Sequence, residues 1–244
     1  MFSVRIFTLL TLLYSFCSNA TPIRVVTEHF PPYQVVKNGE LKSGLAADFV
    51  KALLVKVDIQ AEIEVYPWAR AYKIAQTHSN VLIFSLARTA HRENDFHWIG
   101  SFPHIINSYL WAHKDKYIEI NEIEDAKRYI AGVPRDDTTH HFFIENGFME
   151  DVNLYVANNR QQAVQMLFKG RVDLLMGGDI VLKNRLAQMG LSIQKLEKVF
   201  TLPRRRTGLS VALSKTTSKK LVTKFIHAFD ALSKEAEFNE LFRR

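Results

Sequence analysis

The chain has 244 residues, 47% of them apolar, with 32 Lys and Arg against 25 Asp and Glu and a formal net charge of +7. Such a length and apolar content can build a core without disulfides, and the single cysteine, Cys17, excludes a disulfide framework within the chain. The basic residues are too dispersed for nucleic acid: Arg204–Arg206 is the one dense cluster, and no aromatics interleave with lysines to make a stacking groove.

The first 20 residues read as a Sec-type signal peptide. Arg5 gives a short basic start, "IFTLLTLLYSF" an apolar core, and "SNA" small residues ahead of Thr21. The segment is too short to cross a bilayer, and Phe16 before Cys17 is too bulky for lipoprotein processing. Export to the periplasm without a lipid anchor is therefore expected. Cleavage would remove Arg5 and Cys17, leaving 31 basic residues against 25 acidic ones, about +6. A cysteine-free product suits an oxidising compartment.

"IRVVT" reads as the first strand, which "FPPY" must leave because two prolines cannot stay in a ladder. "GLAADFVKALLVKV" has helical spacing, with Leu45, Phe49 and Leu53 on one side. "AEIEVYP" is a second strand, "WARAYKIAQTHS" a helix and "VLIFSLA" a third strand, a βαβαβ series that predicts a mostly parallel sheet covered by helices. "SYLWAHKD" is expected to make the first crossing to a second unit. There "YIAGVP", "DVNLYVA" and "VDLLMGG" are strands, and "DTTHHFFIENGF" and "NRQQAVQMLFKG" helices. A return near "TGLSVAL" leads to C-terminal amphipathic helices, whose Leu221, Phe225 and Phe229 form a core stripe. The chain thus divides into a signal peptide (1–20), lobe 1 (21–110), an inserted lobe 2 (111–208) and a C-terminal return to lobe 1 (209–244).

Sites in such folds lie beyond the carboxyl ends of the strands, where Tyr33, Trp68 and the Arg88–Arg92 segment fall. The motifs of serine hydrolases, P-loop enzymes, zinc peptidases and dithiol redox proteins are absent. His140 and His141 are adjacent, and neighbouring positions on a helix diverge, so neither metal nor cofactor is expected. Arg92, just past a strand, either offers its planar fork to a carboxylate or is a surface residue paired with Glu93 or Asp95. Asp179, after "LLMGG", either accepts from an ammonium group or caps the helix "IVLKNRLA". Tyr33 and Trp68 would wall the cleft, with turn packing the simpler role for Tyr33. Trp98 and Trp111 read as core or hinge. "GVPRDDTTHH" offers N–H groups and hydroxyls at a helix start, although Asp136 and Asp137 would repel an anion.

Four quoted stretches carry a resemblance over nearly all of the mature chain: "EHFPPYQVVKNGELKSGLAADFVKAL", "LIFSLARTAHRENDFHWIGSF", "AGVPRDDTTHHFF" and "AVQMLFKGRVDLLMGGDIVLKNRL". They are similar to the bacterial extracellular solute-binding proteins of family 3, which feed amino acids to ABC transporters. The resemblance implies a two-lobed α/β periplasmic-binding-protein fold of type II and a monomer that closes on a small solute. It would have membrane-subunit partners and need no cofactor. It also implies that Arg92 clamps the ligand carboxylate, that Ser85 donates to the ligand, and that Thr138 lies in the binding turn of lobe 2. Ala87 stands where the family commonly has a hydroxyl. Counting from Asp173 puts the ammonium-binding acid at Gly178, one residue before Asp179, so the solute is expected to be an amino acid or a related amine or carboxylate. Two other readings remain: a dehydratase-like enzyme acting on a small cyclic acid, and a sensor or interaction module of the same fold.

Overall fold

The computed structural model describes residues 22–105, 107–202, 208–236 and 238. The expected signal peptide and the Arg204–Arg206 cluster lie outside the described residues. Two five-stranded sheets, each covered by helices on both faces, make up the molecule. In the first, β1 (Arg24–Thr27) lies between β4 (Ile63–Val65) and β5 (Val81–Ala87), parallel to both. β12 (Gly208–Ser214) pairs antiparallel with β5, and β6 (Phe96–Ile105) antiparallel with β12.

The burial of β5 explains why it reads as an unbroken apolar run. Leu82 and Phe84 face α1 (Leu45–Lys56) and α6 (Lys219–Leu232), packing with Phe49, Leu53, Phe225 and Phe229. Val81 and Ile83 face α2 (Trp68–Thr77), with Tyr72 and Ala75. A strand covered on both sides has no polar face to alternate with. Phe49 is 1% exposed and packs its ring against Phe102, Phe229 and Phe238. Burying such a ring is worth roughly 1.5–3 kcal/mol.

The second sheet runs in the order β11-β7-β10-β8-β9. Its strands are β7 (Tyr109–His113), β8 (Ala131–Pro134), β9 (Leu154–Ala157), β10 (Leu174–Gly177) and β11 (Leu196–Thr201). α3 (Thr138–Glu145) covers one face through Phe142 and Phe143. α4 (Arg160–Phe168) and α5 (Asp179–Gln188) cover the other through Val164, Leu167 and Leu186. Each sheet combines two parallel with two antiparallel pairings, so the parallel character predicted from βαβ order is confined to half of each. The antiparallel pairs all involve the strands beside the crossings.

The chain leaves the first sheet after Ile105, joins the second at Tyr109, and returns between Thr201 and Gly208. The expected division at 110/111 falls inside β7, and that at 208/209 just after β12 begins. Leu202 N–H donates to Ser108 O at 3.0 Å, so the two crossings run side by side. A hairpin of β2 (Val35–Lys37) and β3 (Glu40–Ser43) was not anticipated. Its signal is "NG", Asn38–Gly39, with φ of 54° and 79°, the positive pair that a tight hairpin turn needs.

Candidate functional site: a cleft between the two sheets

The carboxyl ends of β1, β5 and β10 and the amino ends of α2, α3, α4 and α5 converge on one cavity of about 100 Å³. Trp68, Ser85, Ala87, Arg92 and Thr138 all line it. Tyr33 and Asp179 do not. Tyr33 is 3% exposed and packs in the core of the first lobe, stacked at 5.6 Å on Phe30, and it is Phe30 that reaches the cavity. Asp179 Oδ2 instead accepts from Lys198 Nζ at 2.6 Å on the half-exposed outer side of α5. Its α5 N-cap is Gly178, with no side-chain cap, so the capping alternative for Asp179 is not what the geometry shows either.

Arg92 is 1% exposed. It does not pair with Glu93 or Asp95: Glu93 takes Arg88, and Asp95 accepts from Tyr72 Oη at 3.1 Å and Gln76 Nε2 at 3.0 Å. The guanidinium of Arg92 lies 4.8 Å from the ring centre of Tyr72 and 5.3 Å from that of Trp68, a cation–π cradle that favours the desolvated charge. Its Nη2 donates to Asp136 O at 2.8 Å, and its Nε has no partner. Burial pushes its pKa below the usual arginine value, although Asp137 and Tyr72 oppose that shift.

Ser85 is the bulged residue of β5. Opposite it, Ser210 and Val211 pair with Leu86 and Phe84, and Ser85 itself has φ of 57°. A bulge re-aims one side chain without ending the strand. Ser85 Oγ accepts from buried Gln34 Nε2, which leaves its own hydroxyl hydrogen free to donate.

The second lobe contributes a turn, Arg135–Asp137, and the start of α3. Asp136, at φ of 55°, turns its carbonyl toward the first lobe, where Trp68 Nε1 also donates to it at 2.9 Å. Asp137 caps α3: its Oδ1 accepts from Thr139 N at 2.9 Å and Thr139 Oγ1 at 2.7 Å. Its Oδ2 accepts from Arg160 Nη2. Arg160 and the neighbouring Glu28 and Arg185 are functional candidates that sequence reasoning missed. Arg160 Nε lies 3.5 Å from Glu28 Oε1 and its guanidinium 4.8 Å from the Phe30 ring centre, while Arg185 Nη2 donates to His29 O at 3.3 Å.

Glu28, Arg92, Asp137 and Arg185 are buried and Arg160 is mostly so, and their titration sorts them. Burial alone would discourage ionisation of Asp137, but Arg160 and the Thr139 donors outweigh it and hold its carboxyl below the ordinary aspartate range. Burial likewise opposes Arg160, and Asp137 with Glu28 reverses the effect, so its pKa rises. Glu28 has only the longer contact, and burial dominates to push its carboxyl up. Arg185 falls to about 10 through burial and repulsion from Arg160. Asp137–Arg160 is therefore the firm pair, and Glu28 the acid closest to taking a proton.

Two α/β halves meeting over a shared polar cavity form the architecture of the two-lobed periplasmic binding proteins. The sequence places the chain within that class: residues 23–244 match the family model of the bacterial extracellular solute-binding proteins, family 3, and the chain belongs to that family. No curated protein matches it. Solved structures with a similar fold include a histidine kinase sensor domain (TM-score 0.78, 16% identity, covering 91% of this chain and 94% of that one). Another is an ancestral arginine-binding protein bound to arginine (TM-score 0.77, 20% identity, 91% and 96% covered). A third is the amino acid ABC transporter substrate-binding protein of Streptococcus pneumoniae bound to L-arginine (TM-score 0.75, 15% identity, 91% and 93% covered). At these identities the likeness concerns the fold. The family and the second and third of these structures are of binding proteins. Among the described residues no helix is long and apolar enough to cross a membrane, and no group of His, Cys, Asp and Glu is arranged to hold a metal.

Proposed function

We propose that this chain is an exported receptor that captures a small carboxylate-bearing solute, an amino acid or a related organic acid, by closing its lobes. Support for delivery to the membrane subunits of an ABC transporter comes from the family and from the transport role named for the Streptococcus pneumoniae structure. The observation that carries this reading is Arg92, a nearly fully buried guanidinium in a cleft, cradled by two aromatic rings, with an unpartnered Nε. A carboxylate accepting from Nε and Nη2 makes two parallel charge-assisted bonds. It also takes the place of the Asp136 carbonyl on Nη2, so occupancy is coupled to the position of the lobe 2 turn. Ser85 and Thr138 are the further donors, and Phe30 and Trp68 hold the ligand body.

Binding then favours the closed arrangement by the ligand's differential affinity for it, with no covalent step. The kinase sensor domain of similar fold supports a second reader of the same closure, a signalling partner in place of a transporter.

The test is titration calorimetry of refolded protein against amino acids and small organic acids, with Arg92→Ala alongside. The expected outcome is binding of one class by the wild type, weakened at least about tenfold in the variant, because a charged hydrogen bond of about 1.5–3 kcal/mol is lost. Equal affinity in both proteins would remove Arg92 from the site.

A further inference from the structure

The charges around the cavity do not balance. Of the described charged residues that line it, Arg92 and Arg160 face only Asp137, which leaves one positive charge in excess at the wall. The distribution of free hydrogen-bonding capacity has the same sign. Among the described residues Asp137 is the one carboxylate lining the cavity, and both of its oxygens are engaged, by Thr139 and by Arg160. Turning it toward a ligand cation would uncap α3 and unpair Arg160. The opposite wall, at the junction of β10 and α5, is Gly177 and Gly178, with no side chain to accept anything. Asp179, next along, is held by Lys198 outside the cavity. Donors, by contrast, are in supply: Arg92 Nε is unpartnered, and the Ser85 hydroxyl hydrogen is free.

An ammonium group entering this cleft would add a second uncompensated positive charge and find no open carboxylate, a costly combination away from water. A single carboxylate would neutralise the excess. Elsewhere the wall is apolar at Met176, Val181 and Leu209 and carries neutral hydroxyls at Ser108, Thr138 and Thr139, and its other cation, Arg160, is already paired with Asp137.

Resting on the solute-binding reading above, we propose that the solute is a small monocarboxylate without an ammonium group, its carboxylate on Arg92 and an apolar body against Met176, Val181 and Leu209. The absence of an acid at Gly178 is the feature that excludes amines. Gly178 is the N-cap of α5, with φ of −84° and ψ of 152°, a backbone conformation open to any residue, and aspartate is a favoured residue at that position.

The experiment is calorimetry with acids matched to their amino acids: 4-methylpentanoate against leucine, and 3-phenylpropionate against phenylalanine. Wild type, Gly178→Asp and Arg92→Ala are compared, each checked for native circular dichroism. The wild type is expected to bind the acid of a pair at least about tenfold more tightly than the amino acid, and Gly178→Asp to shift that ratio toward the amino acid by about tenfold or more. A wild type that prefers the amino acid overturns the proposal and leaves the solute-binding reading standing. An unchanged ratio in Gly178→Asp overturns the role given to Gly178. Silence of the folded wild type toward both classes removes the solute-binding reading itself, and this proposal with it.

Discussion

Arg160 sits between two acids that the fold buries with it, over the ring of Phe30. Its removal would take from Asp137 its ion-pair partner and from Glu28 its nearest cation, and breaking a buried pair costs about 3–5 kcal/mol. Arg160→Ala is therefore expected to lower the unfolding free energy by about that amount, read as the shift in urea midpoint at constant slope. A loss under 1 kcal/mol would mean that water reaches the acids. Nothing local announces this residue. Arg160 begins a helix at "NRQQAV", where an arginine is ordinarily solvated, and only packing against residues more than a hundred positions earlier gives it a partner in Glu28. The two aromatics around Pro31 and Pro32 make the same point. Phe30 and Tyr33 are equivalent by pattern, and the turn alone decides that one faces the cleft and the other the core.

The turn in question is set at the level of elements. Leu45 N–H donates to Pro32 O at 3.2 Å, and Ala46 N–H to Tyr33 O at 3.1 Å, so the start of α1 is pinned to the "FPPY" turn. Gly44, at φ of 139°, permits the approach, and a Cβ there would lie 2.3 Å from Tyr33 O. Neither can give way, since the oxygen belongs to backbone and the Cβ is fixed directly to it. Gly44→Ala is expected to cost about 1–3 kcal/mol in strain, seen as a lowered melting temperature, and to weaken ligand binding because Phe30 moves with the turn. Binding unchanged in a destabilised variant would separate the turn from the cleft. The helix and its glycine were legible in "KSGLAADF". The contact that demands glycine was not, because it lies between backbones that the sequence does not show to be adjacent.

At the scale of the molecule, the lobes meet through contacts that need neutral histidines. His29 Nδ1 accepts from Val36 N–H at 3.0 Å, so its proton sits on Nε2, which donates across the cleft to Gln188 Oε1 at 2.5 Å. Protonation would set two hydrogens against each other at Val36. Burial, together with Arg185, lowers the pKa of His29. His141 packs at a tilt against His91 of the other lobe, ring centres 4.5 Å apart, and burial lowers its pKa, aided by Arg92, His91 and His140 and opposed by Asp136. In both cases the unfolded chain binds the proton more readily. The stabilisation is therefore full above pH 6.5 and is lost as pH falls through the depressed folded values. Glu28, with its raised pKa, has the opposite sign: its contribution is present below about 4.5 and fades as pH rises. The melting temperature is expected to drop between pH 7 and 5, and the drop to shrink when His29 and His141 are both replaced by Gln. An equal drop in that variant would move the titration elsewhere.

What the sequence determined by itself was everything carried by local periodicity and local chemistry. The two-period runs and the 3.6-period stripes named the α-helices and six of the twelve strands, the prolines ended β1, and the run "FSLARTAHR" put an arginine past a strand end. Hydrophobic spacing encodes which face is buried, so it locates elements and cores well. It says nothing of what lies opposite. Trp68 and Asp136, which share a hydrogen bond across the cleft, are 68 residues apart, and His29 and Gln188 are 159 apart. The five-charge cluster, the outward turn of Asp179 and the choice of Phe30 over Tyr33 were decided only when the two sheets closed on one another. Burial then made each polar group's energy depend on neighbours from the other lobe.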